Sequence, residues 1–395
     1  MRVKTDSLDV IRDGEGVDAV ARRARDEGRF AIDFEFLWEK TYAPMACLAQ
    51  VAVGDAVYLI DPIEGAPLEP LGELVADPGV LTIMHAPSAD LTLLHLHLGV
   101  RPANLHDVQL MAGFVGLGAG QGLSALLERV LKVRLDKGEQ YTDWSRRPLT
   151  GKQLRYAAAD VEHLGELHDR LLARAESQGR AEWVMEEHAR RYGPDARLSQ
   201  APDEAWRKVK GQGKLPPADR AVLRRLAAWR EHTAAERDRP TQWICPDRTL
   251  LEIARRKPAD AGTLSRERGL PERMRNDDIE GILQAVRDGV DDPPLTLPAP
   301  PRSEIVQRLE TLGPLGQVLI AHRAASVNLA PTLLATRDDV EGYLATVLGD
   351  EDASSPLASG WRHELAGEAL AALANGTLAL AAGASRPYLR EITVD

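Results

Sequence analysis

RFAIDFEF, residues 29–36, sets two acids inside an otherwise apolar strand pattern. Successive side chains on a strand alternate faces, so Asp33 and Glu35 point one way and Ile32, Phe34 and Phe36 the other. Two carboxylates on one face of an apolar strand are costly to bury without a compensating partner. They mark either a solvated edge or a cation site. Downstream, MACLAQVAV (45–53) and AVYLID (56–61) read as two more strands, with Pro44 and Gly54-Asp55 as turn signals. LTIMHA (81–86) is a fourth apolar run. SADLTLLHLHLG (88–99) reads as helix, with Ser88 as its N-cap and Gly99 as its stop. QGLSALLERVLKV and TGKQLRYAAADVEHLGELHDRLLARA carry the 3.6-residue period. Strands first, then strands interleaved with helices, predict a mixed sheet flanked by helices.

At 395 residues the chain calls for two or three domains, and 44% hydrophobic with 28% charged residues is a globular composition. Cys47 and Cys245 stand far apart in no CxxC pattern, which argues against a disulfide framework or a thiolate zinc site. MRVKTDSLDV carries acids where a signal peptide needs an apolar run, and no apolar stretch approaches the roughly 20 residues of a membrane helix. A cytoplasmic protein with no membrane partner is expected. Two seams divide the chain: RYGPDARLSQAPDE at 191–204 and the proline-rich DGVDDPPLTLPAPPRS at 288–303. The resulting blocks are 1–192, 203–289 and 303–385, the last two helical throughout. Net charge is −11, yet residues 201–289 hold 19 Lys+Arg against 15 Asp+Glu. A basic middle block thus lies between acidic flanks. An acidic first block meets phosphates if divalent ions sit in its carboxylates and invert the local field.

Three further residues join the strand pair. Asp90 falls at the start of a helix, where an acid suits the helix dipole by itself. Tyr156 and Asp160 are spaced i, i+4 and share a helix face, with Ala157, Ala158 and Ala159 keeping that helix slim. Singly each has an ordinary explanation. Together the four acids are a donor set for two divalent ions, Mg²⁺ or Mn²⁺, because hard cations take oxygen ligands. His85, His95 and His97 read as structural. Two such ions can activate a water and stabilise the leaving 3′-oxygen of a phosphodiester, with a nearby tyrosine orienting the water. Spacing leaves open whether these elements meet in space.

AIDFEF, then TYAP…CLAQVAV, LIDP, HAPSADL and LDKGEQYTDWSRRPLTGKQLRYAAADVEHL resemble the ribonuclease D family, in the tyrosine subtype of the DEDD exonuclease superfamily. The likeness runs over nearly all of residues 25–190. It implies a ribonuclease H-like α/β domain with a mixed five-stranded sheet. It also implies that Asp33, Glu35, Asp90 and Asp160 bind two metals while Tyr156 orients the nucleophilic water. WRKVKGQGKL and VLRRLAAWREHTAAERDRPTQWICPDRTLLEIARRKP look like an HRDC domain, and NLAPTLLAT with GWRHELAGEALAALANG resembles a second, HRDC-like one. The implied protein is a 3′→5′ exoribonuclease that trims tRNA precursors and other structured small RNAs with 3′ tails. A DNA 3′→5′ exonuclease and a non-catalytic RNA-binding scaffold are the alternatives. Phe34 stands where members often have Thr, and His106-Asp107-Val108 where many read Phe-Asp-Thr; neither departure touches a proposed ligand. Candidate RNA contacts are Lys137, Trp144 and Arg147, and the track Arg207, Lys208, Lys210 and Lys214 beside Gly211 and Gly213. Trp144 has a second reading, as a cover for the sheet edge.

Overall fold

The computed structural model describes residues 10–135, 142–193, 196, 201–267, 269–270, 274–297, 302–384 and 388–394. Strand β1 (Val10–Ile11) is followed by helix α1 (Gly14–Glu27), then by β2 (Arg29–Leu37), β3 (Met45–Val53) and β4 (Ala56–Ile60). Helix α2 (Glu69–Val75), β5 (Leu81–Met84), α3 (Ser88–Leu98), β6 (Leu105–Asp107) and α4 (Val108–Phe114) complete the sheet region. Helices α5 (Leu123–Val130), α6 (Gly151–Glu162), α7 (Leu164–Ser177) and α8 (Ala181–Tyr192) close the block.

The sheet runs β1-β4-β3-β2-β5-β6, with β2 antiparallel to β3 and parallel to β5. It has six strands among the described residues, one more than the five that the resemblance implies; β1 contributes only two residues at one edge. Alternation along β2 works as expected. Phe30, Ile32 and Phe34 enter the main core with Val17, Val20, Ala21 and Ala24 of α1, whereas Asp33 and Glu35 stay only half-buried. Helix α3 begins at Ser88 rather than after it: Pro87 occupies the N-cap, so Ser88 is not the cap. Gly99 does end the helix, at φ 66°, a left-handed value glycine adopts freely.

The middle block holds α9 (Pro217–Glu236), α10 (Thr241–Ile244), α11 (Asp247–Arg256), α12 (Ala261–Leu264) and α13 (Asn276–Asp291). The last holds α14 (Ser303–Ser326), α15 (Pro331–Leu334), α16 (Arg337–Val347), α17 (Gly360–Arg362) and α18 (Glu368–Ala374). Both blocks repeat one theme: a long helix, a left-handed residue, a four-residue helix three positions on, then an amphipathic helix. The left-handed residues are Asp238 at φ 45° and Asn328 at φ 51°. Each faces the first block. Asp238 Oδ1 accepts the Tyr42 N–H at 2.9 Å, and Asn328 packs so tightly on Gly116 that a Cβ there would come within 2.3 Å of its amide. The last block is not wholly helical. A hairpin of β7 (Leu378–Ala382) and β8 (Leu389–Thr393) follows α18, and Arg323 of α14 bonds Glu391 at its end at 2.5 Å. Among the described residues, no helix is long and apolar enough to cross a membrane.

Candidate active site

Three elements deliver the acids, and each is held by contacts remote in sequence. Strand β5 pairs with β2 only as far as Ala31 opposite Ile83. Past that ladder the backbone N–H of Phe34 lies where it favours the charged forms of both Asp33 and Asp90. The turn carrying Asp90 is strained: Ala86 sits at φ 54°, a conformation costing a non-glycine residue about 1–2 kcal/mol. Asp107 compensates. Its Oδ1 accepts the N–H groups of Ala86 (3.0 Å) and Gln109 (2.8 Å), and its Oδ2 accepts the Tyr192 hydroxyl (2.9 Å). The Asp107 N–H in turn donates to His188 Nε2 at 2.7 Å, while His188 Nδ1 donates to the Val184 carbonyl at 2.8 Å. Those two bonds assign His188 one neutral tautomer.

Helix α6 is seated before it begins. Thr150 caps it in a reciprocal box with Gln153. Just upstream, Arg147 grips Asp61 through two bonds of 2.6 and 2.7 Å and donates to the Cys47 carbonyl at 2.6 Å. Trp144 is 2% exposed, and its ring lies 6.1 Å from that of Tyr156. The reading of Trp144 and Arg147 as RNA contacts is therefore corrected. Arg147 is already engaged with carboxylate and carbonyl oxygens, Trp144 is inside, and both fasten α6 to the sheet. Lys137 lies outside the described residues. Of the histidines near Asp90, His85 Nε2 lies 2.9 Å from the Gln121 carbonyl and His97 Nε2 2.6 Å from that of Pro44, in keeping with structural roles.

The five candidates meet electrostatically. Burial, then the charges of Asp90, Asp160 and Glu35, push Asp33 well above the usual carboxylate range. Glu35 is pushed up to about 8 by burial and by Asp160 and Asp90. Asp90 and Asp160 both rise to about 7, chiefly through burial; backbone N–H bonds oppose the rise at Asp90 and the Tyr156 hydroxyl opposes it at Asp160. Tyr156 is itself raised by burial and by Asp160, Glu35 and Asp33, so it remains a neutral hydroxyl beside Asp160. Among the described residues, no Lys, Arg or His is a main cause of the shift at any of the four acids. Among the described residues no three acid, histidine or cysteine side chains have closed into a ready-made ion cage. Asp33 and Glu35 lie near enough to Asp90 and Asp160 to be raised by their charges. An all-oxygen donor set with excess negative charge and no cation of its own suits hard divalent ions.

The basic track is mixed. Arg207 pairs with Glu204 and lies over the Trp206 ring at 4.8 Å, whereas Lys208, Lys210 and Lys214 are exposed. Two aromatic residues passed over in the sequence flank the seam between the first and middle blocks. Trp38, 46% exposed, donates to the Tyr42 carbonyl at 3.0 Å. Trp243, 57% exposed, has the Arg239 guanidinium 6.0 Å from its ring. A lone exposed tryptophan belongs to no period or motif, so nothing local marks it.

These features define a class: a mixed α/β domain with a group of buried and half-buried acids, followed by helical blocks. Residues 8–176 match the 3′-5′ exonuclease family and residues 219–286 the HRDC domain. Ribonuclease D of Acidiphilium cryptum is 35% identical over 381 residues, 95% of each chain. That of Pseudomonas paraeruginosa is 36% identical over 376 residues, 94% of this chain and 98% of its own. The crystal structure of Escherichia coli RNase D, described as an exoribonuclease involved in structured RNA processing, superposes with a TM-score of 0.78 at 28% identity. It covers 94% of this chain and 99% of its own. The chain belongs to the ribonuclease D family. It is a 3′→5′ exoribonuclease, dependent on divalent metal.

Proposed function

We propose that Asp33, Glu35, Asp90 and Asp160 hold two divalent ions, Mg²⁺ or Mn²⁺, and that Tyr156 orients the attacking water at the 3′ end of an RNA chain. When bound, the ions supply the charge that activates water and stabilises the leaving 3′-oxygen. The single observation that carries this reading is that Asp90 and Asp160 raise Asp33 and Glu35, with no basic partner among the described residues. A protein gains nothing in stability from such a cluster. Tyr156, kept neutral by the surrounding acids, has the proton needed to hold an oxygen nucleophile in place.

The substrates are tRNA precursors and other structured small RNAs with single-stranded 3′ tails, handled in the cytoplasm. The buried, unpaired Cys47 and Cys245 suit a reducing compartment. The chain divides into an exonuclease domain at 1–192, an HRDC domain at 203–289 and a second, HRDC-like domain at 303–385 that carries the hairpin as an extension. Exposed Trp38 and Trp243 stack bases of the tail, and Lys208, Lys210 and Lys214 meet its phosphates. The RNA-specific 2′-hydroxyl contacts are made near the reacting end.

The deciding assay supplies matched RNA and DNA oligonucleotides with 3′ tails, with Mg²⁺, Mn²⁺ or chelator, to wild type and to Asp160→Asn. Stepwise release of nucleotides from RNA by wild type alone, and only with metal, is expected. Faster digestion of DNA would replace the substrate assignment. Undiminished turnover by Asp160→Asn would remove the metal assignment.

A further inference from the structure

Gln50 is 0% exposed, and neither atom of its carboxamide has a hydrogen-bond partner. It stands directly opposite Asp33 in the β2–β3 ladder. Side chains opposite one another share a face, with Cβ atoms roughly 4.5–5.5 Å apart. Its partner on the other side, Leu59 of β4, offers no polar group, and α6 covers this part of β3 and β4. The polar neighbours across the ladder are Asp33 and, on the diagonal, Glu35. A buried amide left unpaired is unfavourable, and an apolar residue of equal size would serve a purely structural position better. A carboxylate that ligates a metal commonly has its remaining oxygen held by a donor outside the ligand set.

We propose that Gln50 is a positioning residue, whose carboxamide N–H, unpaired in this structure, turns to the Asp33 carboxylate and holds it once a divalent ion is bound. The proposal rests on Asp33 being a metal ligand. It assigns Gln50 no contact with RNA and no part in proton transfer. What it adds is a side-chain donor to the cluster; among the described residues only the Tyr156 hydroxyl, at Asp160, otherwise plays that part.

The test measures Mn²⁺ binding without RNA, by calorimetry or by the spin resonance of free Mn²⁺, alongside melting of the metal-free protein. Gln50→Met keeps length and volume but removes the donor; Gln50→Leu removes it with a different shape. Leu48→Val, on the same strand, is the packing control. Both Gln50 variants are expected to melt at or above the wild-type temperature without metal, yet to bind Mn²⁺ about 10- to 100-fold more weakly, the usual cost of losing such a partner. Leu48→Val should melt lower and keep its Mn²⁺ affinity. Wild-type affinity in both Gln50 variants overturns the proposal. Failure of both to fold overturns it too, since Gln50 would then be a core residue. If wild type itself bound no Mn²⁺, the metal reading of the whole site would fall, which is a separate and distinguishable outcome.

Discussion

Two centres in the first block bury carboxylates, and they are opposites. Around Asp33, three other acids push its carboxyl up, and no basic group among the described residues offsets them. Around Glu187, 0% exposed on α8, one acid is surrounded by three guanidinium groups. Arg190 donates to it at 2.9 and 2.7 Å, Arg191 at 2.5 Å and Arg362 of the last block at 2.7 Å. Arg362 also donates to the Leu333 and Leu334 carbonyls, and it lies 4.3 Å from the ring of Trp361. That ring stacks on Trp183 at 5.0 Å. Burial alone would raise Glu187, but Arg190, Arg362 and Arg191 together hold it down at about 2. One centre completes its charge balance within the chain and joins two blocks. The other has no such balance among the described residues, which is what the proposed metal site requires.

The sharpest break of that contrast is a single amide at each centre. Asp33→Asn should lower turnover by at least roughly a thousandfold, matching the several kcal/mol that bound metal supplies. It should also raise the melting temperature of the metal-free protein by a few degrees above about pH 4, because an amide leaves folding no carboxyl to protonate or to bury charged. Scanning calorimetry in chelator and an RNA ladder assay read the two effects on one sample. A metal-free variant that melts lower than wild type would mean the acids are not repelling one another.

Glu187→Ala is the mirror experiment. Removing one partner of a buried pair strands Arg362 and should cost about 3–5 kcal/mol. Turnover per folded molecule on a short single strand should stay near wild type at low temperature. Denaturant titration beside an active-site count checks both expectations. A strong loss of turnover with unchanged stability would reverse the assignments of the two centres.

Acid and base separate the centres next. The folded Glu187 value lies below its ordinary 4.5, so its contribution, on the order of 3 kcal/mol, is present above about pH 4.5 and fades as pH falls towards 2. Glu35 behaves in the reverse sense, since its folded value is raised. The metal-free protein should lose stability as pH climbs from about 4.5 through 8. Mg²⁺ should restore that loss most fully near pH 8, and activity should climb over the same range as the ligands give up protons. Melting curves with and without Mg²⁺ across pH 5–9 would expose equal slopes, the result that contradicts the contrast.

The smallest effect is expected at Tyr156. Tyr156→Phe keeps the ring against Trp144 and removes one hydroxyl donor to a charged neighbourhood, worth about 1.5–3 kcal/mol. Turnover should fall about 10- to 100-fold with Mn²⁺ affinity nearly unchanged. An equal drop in metal affinity would make the tyrosine a support for Asp160 instead.

Much of this was legible in one dimension because it depends on local periodicity. The two-residue repeat of RFAIDFEF assigned Asp33 and Glu35 to one face, the four-residue spacing paired Tyr156 with Asp160, and Gly99 marked the end of the helix that carries Asp90. Prolines and composition separated three blocks. The remainder depends on contacts between residues far apart in sequence, which leave no local pattern. Only the folded chain shows that the acids of β2, α3 and α6 share one field. Only there does Asp107 anchor the Ala86 turn with help from Tyr192, 85 residues away, and Arg147 reach 86 residues back to Asp61. The same holds for the burial of Trp144, for Gln50 beside Asp33, and for the 175 residues between Glu187 and Arg362. Sequence periodicity settles which way a side chain faces along its own element. Which charges lie close enough to shift one another is decided by how the elements pack, because Coulomb interaction depends on distance in space and on the water that packing removes.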